Sequence, residues 1–381
     1  MINYGKQTVG KEEVSVLKEV LKSNHLTQGP YIELFEKKLC NFFGSKFCVT
    51  FSSGTSALYS LGKALGWSKK DYIITTPISF LATSNCIEFC NANTEFVDIK
   101  KDYPTINVNE IKKRFCKLKK KQKKVAAIIA VDYSGIPCDW KELKKFSKKH
   151  KIKLINDNCH AMGTKYYGDM KYAIKYADYV VQSFHPVKTI TTGEGGAVLT
   201  NDKKINKSLR LFRNHCIIKS KTKFWDYNIK QIGFNFRITD LQSAIGIAQI
   251  KKIHQFIKLR RKISKLYIKL LSTNNNLILP RTDKTFTSAY HLFPIQIKNL
   301  TYKKKQQMFN FFKKKGFQLQ VHYKPIILQE YYKKKYNLNS KLYLNAVNFY
   351  KLSFSAPLYP SLKEQNIRKF SKLLIEYLKK S

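Results

Sequence analysis

Apolar residues recur at helical spacing near the start of the chain: Val14, Leu17, Val20 and Leu21 within 11–23, then Ile32, Leu34, Phe35 and Leu39 within 31–43. Gln28-Gly29-Pro30 breaks the pattern between them. From residue 46 the pattern changes. Short apolar runs at 46–51, 72–75, 95–99, 125–132, 153–157, 179–183 and 196–200 alternate with amphipathic stretches at 55–65, 80–91, 107–120 and 139–150. Seven such strands interleaved with helices predict an α/β fold, a mostly parallel seven-stranded sheet covered on both faces. Ligands of such sheets bind at the carboxyl ends of the strands, and the distinctive polar residues fall there. A helix is predicted from 200 to about Arg213, then a loop carrying Phe224, Trp225 and Tyr227. One long helical stretch begins near Thr239 and continues past Ile257 and Leu266. Strands at 290–297 and 317–321 with helices at 302–316 and 363–379 predict a smaller C-terminal α+β domain. The 381 residues exceed what a single core usually fills, so the expected division is 1–250 and 251–381.

Composition narrows the class. The chain has 71 basic and 25 acidic residues, a formal net charge of +46. That balance fits a nucleic-acid or anionic-membrane binder, or a lysine-rich bias spread over solvated faces. The lysines are scattered along the helices and accompany no nucleic-acid motif, so the second reading is preferred. Eight cysteines include no Cys-x-x-Cys pair, and most sit in apolar runs, as expected of free thiols in a reducing compartment. The histidines show no zinc spacing, so no metal is expected. The first residues lack an apolar signal core, and no apolar run could span a bilayer. The expectation is a cytoplasmic protein with neither a membrane nor a specific nucleic-acid partner.

Chemistry concentrates in Ser183-Phe184-His185-Pro186-Val187-Lys188-Thr189-Ile190-Thr191-Thr192-Gly193-Glu194-Gly195-Gly196. Lys188 follows an apolar strand and is surrounded by hydroxyls and glycines. The apolar run 153–157 ends in Asp157, where an unpartnered carboxylate would be costly. A lysine able to form a Schiff base, with an acid for a pyridinium nitrogen, is what pyridoxal phosphate chemistry requires. Asp157 could equally cap the next turn. Ser53-Gly54-Thr55 joins a strand to a helix start, where backbone amides bind phosphate or serine simply caps the helix. Phe80, after another strand, could stack on a flat ring or pack in the core.

These motifs resemble the DegT/DnrJ/EryC1/StrS sugar aminotransferases, fold-type I pyridoxal-phosphate enzymes, and the resemblance runs from Tyr4 to about Pro360. It implies that Lys188 carries pyridoxal 5′-phosphate and that Gly54, Thr55 and Ser183 hold its phosphate. Phe80 would cover the ring, Asp157 would pair with its nitrogen and His160 would sit near its hydroxyl. Asn235, in Gly233-Phe234-Asn235-Phe236-Arg237, would reach the phosphate of a neighbouring subunit, which implies a homodimer. Tyr4, Asn24, His25, Leu26, Thr27, His322 and Tyr323 would line the substrate pocket. The substrates implied are a nucleotide-linked 4-keto-6-deoxy sugar and an amino-acid donor, L-glutamate, and the motif around Lys188 is most similar to transaminases of pseudaminic acid synthesis. Transaminases for bacillosamine, legionaminic or perosamine precursors share the same chemistry residues. Dehydratases of this fold replace the lysine with histidine, and Lys188 argues against them. The chain has Asn156-Asp157 where the family usually has Glu-Asp.

Overall fold

The computed structural model describes residues 1–281 and 283–379. Seven strands form the main sheet: β1 (Phe47–Phe51), β2 (Asp71–Thr75), β3 (Asn93–Phe96), β4 (Lys124–Val131), β5 (Lys153–Asp157), β6 (Tyr179–Ser183) and β7 (Gly196–Thr200). Their order is β1-β7-β6-β5-β4-β2-β3. Strand β7 runs antiparallel to both β1 and β6, and the other neighbouring pairs are parallel.

The period-2 alternation of the strands decides which helix layer each side chain meets. Ile128, Ala130, Leu154, Val180, Ala197 and Leu199 enter a core shared with the helices Pro30–Phe43, Val108–Lys120 and Trp140–His150. Ala127, Ile129, Ile155, Val181 and Val198 enter the opposite core, with Gly54–Ala64, Ala82–Phe89 and Lys203–Arg213. Adjacent residues of one strand thus serve different layers. By this parity Asp157 shares the face of Ile155, whereas Asn156 shares that of Leu154.

A third cluster gathers Ile263, Tyr267, Phe293, Ile295, Met308, Phe312, Phe354 and Phe370 around a sheet of Leu277–Ile278, Phe293–Ile297 and Ser353–Ala356. Ile253, Phe256, Ile257 and Ala289 belong to the large cluster instead. The first residues of the chain join the C-terminal part: the Ile2 amide donates to Gly316 and its carbonyl accepts from Gln318.

Four expectations from the pattern are corrected. The helical stretch from 239 is two helices, Asp240–Lys251 and Ile253–Leu271, because the first closes in a tight turn at Lys252, whose amide donates to Gln249 at 3.0 Å. The strand expected at 290–297 begins only at Phe293. Tyr290 is left-handed (φ 51°), and the carbonyls of Tyr290 and His291 accept from Arg260 Nη1. Residues 317–321 make no strand, since their only ladder partners are the isolated bridges Ile2–Phe317 and Gln320–Ser355. The aromatic loop after 213 is a short hairpin, Ile217–Lys219 with Tyr227–Ile229. Among the described residues no helix is long and apolar enough to cross a membrane, and the eight cysteines are free.

Candidate active site

A cavity of ≈660 Å³ opens at the carboxyl ends of the strands. Lys188, Gly54, Thr55, Phe80, Asp157, His160, Ser183, Tyr4, His322 and Tyr323, all singled out from sequence, line it.

One wall is the start of helix Gly54–Ala64. Ser53 and Ser56 form a reciprocal capping box, Ser53 Oγ accepting from the Ser56 amide (3.1 Å) and Ser56 Oγ from the Ser53 amide (2.9 Å). Of the first-turn amides that lack an intrahelical acceptor, those of Gly54 and Thr55 remain, both at the cavity. The walls here are close. A Cβ on Gly54 would lie 2.9 Å from Ser183 Cβ, and one on Gly196 only 2.3 Å from the Ser53 carbonyl oxygen. Free amides, the positive helix end and two hydroxyls make a cradle for a phosphate dianion. Sequence reading left open whether this turn was a cap or an anion site. The two readings are compatible, because the cap uses Ser53 and Ser56 and spares the two amides between them.

Asp157 ends β5 and is buried. Its Oδ2 accepts from Thr83 Oγ1 at 2.7 Å, and Thr83 Oγ1 lies 2.6 Å from Ser79 Oγ. Its Oδ1 accepts from the Cys159 amide at 3.3 Å. Lys188 is half-buried, and loss of hydration lowers its pKa, partly opposed by Cys159 and Asp157. The imidazoles and the phenol of the wall are neutral, and Glu194 adds a carboxylate to the lining. Burial pushes His160 and His291 well down and His322 down to about 3, with the charge of Lys188 adding to each. Burial raises the phenol of Tyr323 well above its ordinary value. The Ser134 amide donates to His160 Nδ1 at 3.4 Å, so Nε2 carries the proton and donates to Tyr323 OH at 3.1 Å. The His322 and Tyr4 rings lie 4.8 Å apart, and His322 Nδ1 is 2.8 Å from Ser355 Oγ. Phe80 stands 56% exposed at the mouth, 6.0 Å from the Tyr323 ring.

Asn24, His25, Leu26, Thr27 and Asn235 are exposed and do not line this cavity within the single chain. Asp240 explains the placement of the loop. Its amide donates to the Leu26 carbonyl at 2.9 Å, and its carboxylate accepts from the amides of Gly29 and Tyr31. Asn235 pairs with Asn214 in an isolated bridge. Sequence reading missed Ser79, Thr83 and His291. Ser79 and Thr83 are spaced i, i+4, which places them on one side of a helix start, but only the fold brings Asp157 to them. His291 gave no signal, because its place in the cavity wall follows from the break before Phe293.

The cavity therefore offers a half-buried amine of lowered basicity, a buried carboxylate and an anion cradle, and among its lining residues the cradle, Lys188 and Asp157 suit a phosphorylated pyridine aldehyde. The model of one family, the DegT/DnrJ/EryC1/StrS aminotransferases, matches residues 7–374. The chain belongs to that family. It is a pyridoxal-phosphate-dependent aminotransferase of fold-type I. A Campylobacter jejuni protein named UDP-4-amino-4,6-dideoxy-N-acetyl-beta-L-altrosamine transaminase is 35% identical over 380 residues, covering 100% of this chain and 98% of its own. A Helicobacter pylori protein of the same name is 34% identical, covering 96% and 94%. The structure of Helicobacter pylori PseC, described as an aminotransferase of pseudoaminic acid biosynthesis, superposes with a TM-score of 0.92 at 32% identity over 100% of both chains. The aminotransferase shares with these relatives nearly its whole length, both structural parts included.

Proposed function

We propose that this aminotransferase moves the amino group of L-glutamate to the keto carbon of a UDP-linked 4-keto-6-deoxy-N-acetyl-L-hexosamine, giving the 4-amino sugar used in pseudaminic acid synthesis. The observation that carries the reading is the constellation of Lys188, Asp157 and the Gly54–Thr55 amides in one cavity, joined to full-length similarity with transaminases named for that sugar. Bound pyridoxal phosphate supplies an electron sink through which a carbon next to nitrogen can lose or gain a proton. Everything else falls to the chain. Lys188 attaches the cofactor and then carries the proton, and its lowered pKa leaves more of the amine unprotonated for both tasks. Asp157 would pair with the ring nitrogen and keep it protonated. The Gly54 and Thr55 amides and Ser183 would hold the phosphate, Phe80 would cover the ring, and neutral His160, which donates to Tyr323, would lie near the ring hydroxyl. Tyr4, His322 and Tyr323 form the neutral, aromatic entrance for the sugar.

We further infer a homodimer in which Asn235 and the 24–27 loop serve the partner's cavity. Thr27 bridges Thr239, just after Asn235, and the segment closed by the Asn214–Asn235 bridge exposes Phe224 (91%), Trp225 (81%) and Ile232 (78%), large apolar side chains that a partner would cover.

The test is to incubate the purified protein with glutamate and a panel of UDP-, GDP- and dTDP-linked 4-keto sugars and identify products by mass spectrometry. Amination confined to the UDP-4-keto-N-acetyl-L-hexosamine is expected, and preferred amination of another sugar would reassign the substrate. Borohydride should fix the cofactor to the peptide containing Lys188. A Lys188→Ala protein is expected to lose at least about 10³-fold in turnover, and normal turnover would remove Lys188 from the mechanism.

A further inference from the structure

Behind the cavity, on the other face of the sheet, lies a carboxylate that the reaction does not touch. Asp132 follows β4 and is fully buried. Its Oδ1 accepts from the Cys138 amide at 2.8 Å and from Trp140 Nε1 at 2.9 Å. Its Oδ2 accepts from Asn156 Nδ2 at 3.0 Å, Asn158 Nδ2 at 2.9 Å and Tyr172 OH at 2.6 Å. No cation pairs with it among the described residues.

Two of these donors flank Asp157 in the chain. Strand alternation sends Asp157 to the cofactor side and both asparagines to the far side, where one oxygen of Asp132 holds them together. The Asp132 amide also donates to the Asp157 carbonyl at 3.1 Å. Asn158 is fixed further: its amide donates to Val181 at 3.0 Å and its Oδ1 accepts from Gln182 Nε2 at 2.6 Å, both on β6. Asn156 Oδ1 has no partner, so that side chain is present for its donor end. By contrast, the Asp157 carboxylate itself is steered only by Thr83 and the Cys159 amide.

We propose that Asp132 is a positioning residue for catalysis: by clamping Asn156 and Asn158 from the far face of the sheet, it fixes the direction in which Asp157 presents its carboxylate to the cofactor. The proposal rests on the reading of Asp157 as the partner of the ring nitrogen. A carboxylate is suited to the clamp because, when ionised, it only accepts, and each oxygen can take more than one donor. An amide in its place turns a donor toward two other amides and loosens both sides of Asp157.

The coupling is measurable in the holoenzyme. Asp132→Asn and Asn158→Ala are each made in the native chain and in an Asp157→Asn chain. Cofactor affinity is read from the visible absorbance during titration with pyridoxal phosphate, and kcat separately from KM. In the native chain each change is expected to weaken cofactor binding and lower kcat by roughly tenfold, with KM for glutamate within about twofold. In the Asp157→Asn chain the same changes are expected to cost less than about twofold, since the group being aimed is gone. Equal losses in both chains would overturn the proposal, because Asp132 would then act only on the fold as a whole. Should Asp132→Asn not fold, Asn158→Ala and Tyr172→Phe carry the same comparison. If Asp157→Asn alone left affinity and kcat unchanged, the reading of Asp157 would fall and the proposal with it. A severe Asp157→Asn with an additive Asp132→Asn rejects the proposal alone.

Discussion

Asp132 also makes the clearest pH prediction at the scale of single residues. Burial raises its pKa to about 6, against the opposing hydrogen bonds of Tyr172, Cys138, Asn156 and Trp140. The groups facing it are neutral donors from three elements. A carboxyl whose pKa is raised in the folded protein adds stability below its unfolded value, near 4, and loses it as pH rises through 6. A shift of that size is worth about 3 kcal/mol. Asp132→Asn lacks the titration. The stability advantage of the native protein over this variant is therefore expected to shrink by about 3 kcal/mol between pH 3 and pH 7, read from paired chemical denaturation curves. An unchanged gap across that range would mean that the carboxyl titrates normally. Asn156 belongs to the same account. The chain has asparagine where the family usually has glutamate, and beside Asp132 a neutral donor avoids the repulsion of two buried carboxylates.

Among the elements, helix Pro30–Phe43 matters because of Glu36. This buried residue takes Arg210 at 2.8 Å and Arg213 at 2.7 Å, and accepts from the Thr50 amide and hydroxyl, each at 2.9 Å. One side chain thus ties a helix of one layer to β1 and to helix Lys203–Arg213. The tie extends to the segment bearing Asn235, since the Arg213 carbonyl accepts from Phe236 and the Phe236 carbonyl from Ser52. Removing one member of a buried ion pair leaves the others uncompensated, at about 3–5 kcal/mol. Arg210 is 41% exposed and can rehydrate, so Glu36→Gln is expected near the lower end, about 3 kcal/mol, seen as a lower thermal midpoint. A variant as stable as the native protein would show that the arginines find water or other acceptors.

In the whole molecule, the proposed dimer decides whether one chain is sufficient. Asn235→Ala would damage the partner's site and Lys188→Ala the site of its own subunit. Each homodimer then has two weakened sites. A mixed dimer gathers both defects in one site and leaves the other intact. Mixing the two proteins under subunit exchange is expected to restore activity approaching half of normal per mixed dimer. Proven exchange without rescue would place Asn235 in its own subunit, and a fully active monomer would reject the shared site.

The local signals were strong wherever the chain's own periodicity carried the information. The strands at 153–157, 179–183 and 196–200 could be bounded to the residue, since each is an apolar run closed by turn or polar residues and buried on both faces. Lys188 and Asp157 were legible for a related reason: a parallel sheet gathers its strand ends, so polar residues placed there meet, whereas Gly54 and Ser183 followed from the family resemblance. Local geometry also sets the cap at Thr239, whose side chain accepts from the Gln242 amide three residues on. The tertiary structure decided what depends on contacts between distant residues. Tyr290 interrupts a strand because Arg260, 30 positions away, takes its carbonyl. Residues 317–321 fail to form a strand because the sheet edge beside them offers only isolated bridges to Ile2 and Ser355. Thr83 reaches Asp157 across 74 positions, and Asp132 finds five donors, the farthest 40 positions away. No periodicity encodes such pairings, because they follow from how the layers stack rather than from any run of neighbouring residues.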